Sequence, residues 1–188
     1  MFEGNQLPTI DAPRLRLRWL TTADVTALYT IFSHPEVMQY WSWRAFTEPT
    51  QAQDLLESIH QCFEKRTLYQ WGIADRATDQ IVGTATLWQI HEANRRAEIG
   101  FALARDRWGQ GLMQEALRAL LGYCFGVLEL HRVEADVDPG NVNSLRLLER
   151  LGFQREGYMR ERWLEEGGPK DTVFFGLLAR EFDPRGRP

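Results

Sequence analysis

The chain is poor in cysteine, in excess basic charge and in long apolar runs. Cys62 and Cys124 are its two cysteines in 188 residues. They are too few for a disulfide scaffold, and both sit in helix-forming surroundings where a free thiol acts as a small hydrophobe. His34, His60, His91 and His131 are scattered, without metal-ligand spacing, so no metal is expected. The net charge of −4 gives no support for broad nucleic-acid binding. No apolar run approaches a membrane span, and the opening MFEGNQLPTIDAPRLRLRW lacks a signal-peptide core. The expectation is a cytoplasmic protein with neither nucleic-acid nor membrane partners. Internal repeats, low-complexity tracts and long linkers are also missing. One domain over 1–188 is expected, with loose ends near 1–6 and 183–188.

What is present is a clear alternation of strand and helix patterns. RLRLRWL (14–20) alternates Leu15, Leu17 and Trp19 with arginines, a strand pattern. TTADVTALYTIF begins a helix with Thr21 or Thr22 as N-cap. The segment HPEVMQYWSWRAFTEP is aromatic and broken by Pro35 and Pro49. TQAQDLLESIHQCFEKR reads as a second helix with Leu55, Ile59, Cys62 and Phe63 near one face. LYQWGIAD, IVGTATLWQI and RAEIGFAL read as three strands. A long helix runs roughly to Leu128, RVEADV is a strand, and NVNSLRLLERLG is a helix stopped by Gly152. FQREGYM and TVFFGLLAREF finish as strands. The order implies an α/β fold with a mixed sheet: an antiparallel meander first, then a parallel pair made by a right-handed crossover around the long helix.

RWGQGLMQEAL (107–117) sets Gly109 and Gly111 at the mouth of that long helix. The first-turn amides of a helix have no intrahelical acceptor, and the helix dipole adds positive character there. Glycines let an anion come against those amides. A P-loop would need Gly-Lys-Ser or Gly-Lys-Thr, but Leu112 and Met113 follow Gly111; a dinucleotide fingerprint would need a third glycine where Gln114 stands. Alone, the pair reads equally as a simple turn.

Followed by HRVEADVDPGNVNSLRLLERLGFQREG, the loop resembles the GNAT superfamily of acyl-CoA-dependent N-acyltransferases. More narrowly it is similar to the RimJ/RimL-type branch, with an opening like APRLRLRWLT and a strand like AEIGFAL. The resemblance covers roughly residues 7–182. It implies a mixed, mostly antiparallel sheet with a splayed parallel central strand pair flanked by helices. It implies acetyl-CoA as co-substrate, a primary amine as acceptor and direct transfer in a ternary complex; it leaves a homodimer open. Coenzyme contacts are implied for Phe101, Ala102 and Leu103, for Arg107, Trp108, Gly109, Gln110, Gly111, Leu112 and Met113, and for Asn141 and Ser144. One departure stands out. Asp106 occupies a loop position where the family often carries Gln or Arg, so pyrophosphate contacts fall to backbone amides, with Arg105 or Arg107.

Such a reaction needs a neutral amine, and α-amino groups and lysines have pKa values of about 8 and 10.4. A base must take the proton. Strand alternation places Glu98, Gly100 and Ala102 on one face, opposite Ala97, Ile99, Phe101 and Leu103. Glu98 reads either as that base or as a strand carboxylate paired with Arg95 or Arg96. Asn141 reads as an N-cap, with Asn143 competing for the helix start. For Ser144 the resemblance implies proton donation to the leaving thiolate or a contact to sulfur. Tyr158 is a fallback acid or a packed strand aromatic. A covalent route through either cysteine finds no base close in sequence. Trp41 and Trp43 are expected at the acceptor, or as core plugs, with Trp88 and His91 behind them. Glu165 and Glu166 form an acidic surface loop that either steers a cationic amine or is a solvated turn. The acceptor readings are a protein or peptide N-terminus, or a small-molecule amine. A non-catalytic acyl-CoA sensor is the alternative class.

Overall fold

The computed structural model describes residues 4–165 and 167–185. Its strands are β1 (Ile10–Asp11), β2 (Leu15–Arg18), β3 (Tyr69–Asp75), β4 (Ile81–His91), β5 (Arg96–Leu103), β6 (Arg132–Val137), β7 (Gln154–Glu165) and β8 (Gly168–Leu178). The helices are α1 (Val25–Phe32), α2 (Pro35–Met38), α3 (Thr50–Glu64), α4 (Leu112–Gly126) and α5 (Val142–Leu151). All eight strands form one sheet in the order β1-β2-β3-β4-β5-β6-β8-β7. Every neighbouring pair is antiparallel except β5 and β6.

Alternation along β5 explains the two layers. Ala97 and Ile99 join a core with the buried faces of α4 and α5, and Phe101 and Leu103 pack against it. Ala102 faces the other way, into a second core with Leu28, Ile31 and Phe32 of α1 and Leu56 and Ile59 of α3. Period-2 alternation therefore puts helices on both faces of the sheet. In α4 the buried residues Leu112, Met113, Ala116, Leu117, Leu120, Leu121 and Cys124 recur at helical spacing. Gly152 closes α5 at φ 96°, its amide reaching the Leu148 and Glu149 carbonyls.

The parallel pairing is short. It joins Arg96 to Arg132, Ala97 to Val133 and Glu98 to Glu134, and then stops. Beyond Glu98 the remainder of β5 pairs with β4 alone. The two strands thus part at Glu98 and Glu134 and leave an opening between their C-terminal ends.

Thr21 is the cap, one of the two residues expected there, and the first helix opens with a 3-10 turn at Thr22–Asp24, where Asp24 Oδ2 draws the Thr21 amide to 2.8 Å and Arg18 holds the same carboxylate at 2.8 and 2.9 Å. Several other expectations need correction. The aromatic segment contains α2, begun by Pro35 at its first position. The buried stripe of α3 is Ala52, Leu56, Ile59 and Phe63, while Leu55 and Cys62 flank it. Helix α4 ends at Gly126, short of Leu128. The final hairpin is longer than its apolar pattern, and Glu165 is the last residue of β7, paired with Gly168, so it is not in a loop. Glu166 lies outside the described residues, as do 1–3 and 186–188 of the expected loose ends. Near the C-terminal end, Phe182 packs on Phe125 at 5.3 Å and the Asp183 carbonyl accepts from Arg118 at 2.8 Å, so the chain is held there. Among the described residues no helix is long and apolar enough to cross a membrane.

Candidate active site

The opening between β5 and β6 is a cleft of about 890 Å³. Three segments wall it: the end of β5 with the loop into α4, the turn from β6 into α5, and α2 with the residues after it.

The glycine loop forms the first wall. Gly109 and Gly111 have φ values of 75° and 72°, the left-handed region. A side chain would find open space at Gly109, and at Gly111 only the Arg14 guanidinium at 3.8 Å. Backbone conformation, not crowding, therefore requires glycine here. Gly111 is the N-terminal cap of α4, and its carbonyl accepts from Glu115 at 3.1 Å. The residues of the first turn, Leu112, Met113 and Gln114, all line the cleft. Their amides are those a helix leaves without acceptors. The loop is pinned from behind. Trp108 Nε1 donates to the Leu103 carbonyl at 2.8 Å, and Arg14 holds the Gln110 carbonyl at 3.1 Å and Glu115 at 2.7 Å.

Arg107 lines the cleft, and its Nε is buried without a hydrogen bond. Its nearest carboxylates are Asp106 at 3.5 Å and Asp75 at 4.0 Å. Asp106 itself is 76% exposed and outside the cleft wall, so the acid at this position adds no side chain to the wall. Arg105 is turned to α2, bonded to Glu36 at 2.9 Å and stacked 4.8 Å over Trp108. Of the residues expected to contact the coenzyme, Phe101, Ala102, Leu103, Trp108, Gly109, Gly111, Leu112 and Met113 line the cleft; Gln110 does not, its amide donating back to the Asp106 carbonyl.

The second wall begins at Asn141, whose Oδ1 accepts from the Ser144 amide at 3.1 Å and caps α5. Asn143 lies inside the helix and is not its cap. Asn141 and Ser144 both line the cleft, and the Ser144 hydroxyl has no hydrogen bond among the described residues. Arg146 and Arg150 stand one turn apart on the same wall. Neither has an ion pair among the described residues. They were missed from the sequence, although their spacing opposite Leu145, Leu148 and Leu151 marks the polar face of α5.

The third wall holds Glu36, Val37, Gln39, Tyr40 and Trp41. Tyr40 sits against the turn before α5, within 3.2 Å of where a Cβ on Gly140 would lie. Trp41 reaches the cleft, but Trp43 does not. Trp43 packs among Phe32, Phe46 and Trp41 at centroid distances of 5.3, 5.0 and 5.4 Å. Trp88 is also off the wall; it is half-buried on β4, directly opposite Glu98. His91 is exposed and caps a turn by accepting from the Asn94 amide. Tyr158 is neither packed nor in the cleft: it is 56% exposed and bonded to Asp171.

Glu98 stands where β5 and β6 part, is not one of the residues lining the cleft, and is 7% exposed. Burial, and then the neighbouring Asp136 and Glu134 carboxylates, push its carboxyl up to about 7. A carboxyl with that affinity exchanges protons at neutral pH. Burial pushes the Cys124 thiol strongly up, which removes it as a nucleophile. Among the described residues no cluster of His, Cys, Asp or Glu is placed to hold a metal.

The site thus offers an amide cradle at a helix N-terminus, cations on two walls, free strand edges, a hydroxyl and a buried carboxyl. An acetyltransferase (GNAT) domain model matches residues 14–154. The chain is 36% identical over 176 residues to "Uncharacterized N-acetyltransferase p20" of Bacillus licheniformis, covering 94% of this chain and 99% of that one. It is 30% identical over 137 residues to the "[Ribosomal protein uS5]-alanine N-acetyltransferase" of Escherichia coli, covering 72% and 71%. Among solved structures it is similar to Mycobacterium smegmatis RimJ in complex with CoA-disulfide, at a TM-score of 0.79 and 25% identity, covering 93% and 87%. The chain therefore belongs to the GNAT acetyltransferases, on the RimJ/RimL-type branch, and is an acyl-CoA-dependent N-acetyltransferase.

Proposed function

We propose that the enzyme moves an acetyl group from acetyl-CoA to the α-amine of a protein or peptide N-terminus, by direct transfer in a ternary complex. One observation carries the choice of acceptor: the similarity over 137 residues to a ribosomal-protein alanine N-acetyltransferase. The Glu98 carboxyl, pushed up to about 7 by burial, suits the same acceptor. Taking a proton from an α-ammonium of pKa about 8 is uphill by roughly one unit, or about 1.4 kcal/mol. The same step from a lysine-type amine of pKa about 10.4 is uphill by more than three units. A base of this affinity is thus better suited to an α-amine than to a lysine-type amine.

In this reading the amides around Gly109, Gly111, Leu112 and Met113 hold the pyrophosphate, with Arg107 beside them. The free edge of β5 at Phe101, Ala102 and Leu103, with Asn141, receives the pantetheine amides. Glu98 takes one proton from the ammonium. The amine nitrogen then bonds the thioester carbon, and the C–S bond breaks. Ser144 gives its proton to the sulfur and regains one from the nitrogen. Trp41 walls the acceptor, Trp43 supports it from behind, and Trp88 flanks Glu98. The test is mass spectrometry after incubation with acetyl-CoA, using peptides with free or blocked N-termini and a panel of small amines. Acetylation of free-N-terminal peptides is expected. Turnover confined to small amines would overturn the acceptor, and no turnover on any amine would overturn the mechanism.

A further inference from the structure

The β5–β6 register places more than Glu98 at the parting of the strands. Glu134 is its direct partner across the pair, so the two carboxylates share one face. Two residues earlier, Arg96 and Arg132 are partners on that same face. Both guanidinium groups turn to Glu134: Arg96 at 2.6 Å and Arg132 at 2.8 Å. Neither forms a bond to Glu98, and among the described residues the Glu98 carboxylate has no hydrogen bond. Arg132 is held further by Glu156 at 2.8 Å. It lies over Gly176 on β8, where a Cβ would overlap the guanidinium. The absence of a side chain at Gly176 makes this seat available.

The remaining groups around Glu98 are accounted for strand by strand. On β4 the facing residue is Trp88, with His91 opposite Arg96. On β6, Asp136 accepts from Trp163 Nε1 at 3.0 Å and from Thr172. On β7, Glu156 faces Arg132, and Arg162 stands 3.9 Å from Asp136. On β8 the partners of Glu134 and Asp136 are Gly176 and Phe174, which carry no charge. Arg96 and Arg132 are thus the two cations on the face of Glu98 within its own strand pair, and Glu134 engages both.

We propose that Glu134 is a positioning residue for the transfer reaction: by engaging Arg96 it keeps that guanidinium off Glu98, which stays an unpaired proton acceptor, while Glu156 shares the hold on Arg132. This rests on the reading of Glu98 as the base. Without Glu134, Arg96 loses its carboxylate partner and can turn to Glu98, whereas Arg132 keeps Glu156; a paired carboxylate is a poor base at neutral pH. The prediction has a sign. Glu134→Gln removes a neighbouring anion and releases Arg96, so Glu98 should hold its proton less tightly. Arg96→Met removes a cation and leaves Glu134 less neutralised, so Glu98 should hold it more tightly. General damage to the site would not move the two variants in opposite directions.

The experiment follows the Glu98 carboxyl by carbon-13 NMR of glutamate-labelled protein, assigned with Glu98→Gln, beside the pH profile of kcat/KM. The expected result is a downward shift of both the resonance midpoint and the acidic limb in Glu134→Gln by about one pH unit or more. An upward shift is expected in Arg96→Met, and Glu134→Asp should return the profile towards that of the parent. If both midpoints stay in place while the limb still belongs to Glu98, the role of Glu134 is overturned. If the resonance moves as expected and the kinetic limb does not, Glu98 is not the base, and the charge coupling alone stands. Should Glu134→Gln fail to fold, Arg96→Met, at a side chain 36% exposed, decides by itself: no upward movement of the resonance overturns the proposal.

Discussion

At the scale of single residues, Glu98 links stability to chemistry. Its carboxyl binds protons more tightly in the folded chain, near 7, than a free glutamate near 4.5. Below 4.5 the group is neutral in both states and costs nothing. As pH rises from 4.5 to 7 the unfolded chain ionises first, and stability falls by up to about 3 kcal/mol. Glu98→Gln keeps the shape and removes the ionisation. Its melting temperature should match the parent at pH 4 and exceed it at pH 8, while acetyl transfer is lost; equal melting temperatures at both pH values would contradict the buried-carboxyl account. Ser144 gives a complementary case. The α5 cap uses its backbone amide, and that amide survives in Ser144→Ala. Turnover should drop about 10²-fold, the low end for general acid–base catalysis, with the melting temperature unchanged. A fall in melting temperature with turnover intact would make Ser144 a helix-start residue.

At the scale of elements, the glycine loop is the clearest case of sequence carrying site geometry. Gly111 sits at φ 72° immediately before α4. A β-branched residue is strained there by about 1–2 kcal/mol. Gly111→Val should weaken acetyl-CoA binding about tenfold in calorimetry, and unchanged affinity would take the loop out of the site. Strands β5 and β6 were also legible, ending where RAEIGFAL and RVEADV end, because alternation marks their buried faces. Other features were not legible, for physical reasons. Helix α2 is one turn long, too short to show a period. Strand β7 is irregular between Met159 and Trp163, where Glu161 adopts φ 52° without a glycine to announce it. Position between elements suggests the acceptor for Trp43, and the end of its strand suggests it for Trp88, but neither signal encodes packing. Packing put Trp43 among aromatics and Trp88 on a strand beside Glu98. The pairing of Glu98 with Glu134 lies 36 positions apart, and its register depends on the crossover through α4, which no local pattern encodes.

At the scale of the whole molecule, the sheet is one layer whose two parts are joined through three parallel residue pairs. Everything assigned to the reaction lies at or beyond that junction. The short seam also dictates how the backbone meets solvent. Past Glu98, the peptide groups of β5 that point towards β6 have no ladder partner and, apart from the Leu103 carbonyl held by Trp108 Nε1, are left to water. In deuterium exchange they should label early in the free enzyme, while the β3–β4 ladder, paired from Tyr69 to Ala74, labels late. Saturation with acetyl-CoA should slow labelling of 100–103 selectively. Uniform slowing across the sheet would mean that the ligand stabilises the fold without entering the seam. Time-resolved labelling thus turns a missing stretch of strand pairing into a direct record of when the enzyme is loaded.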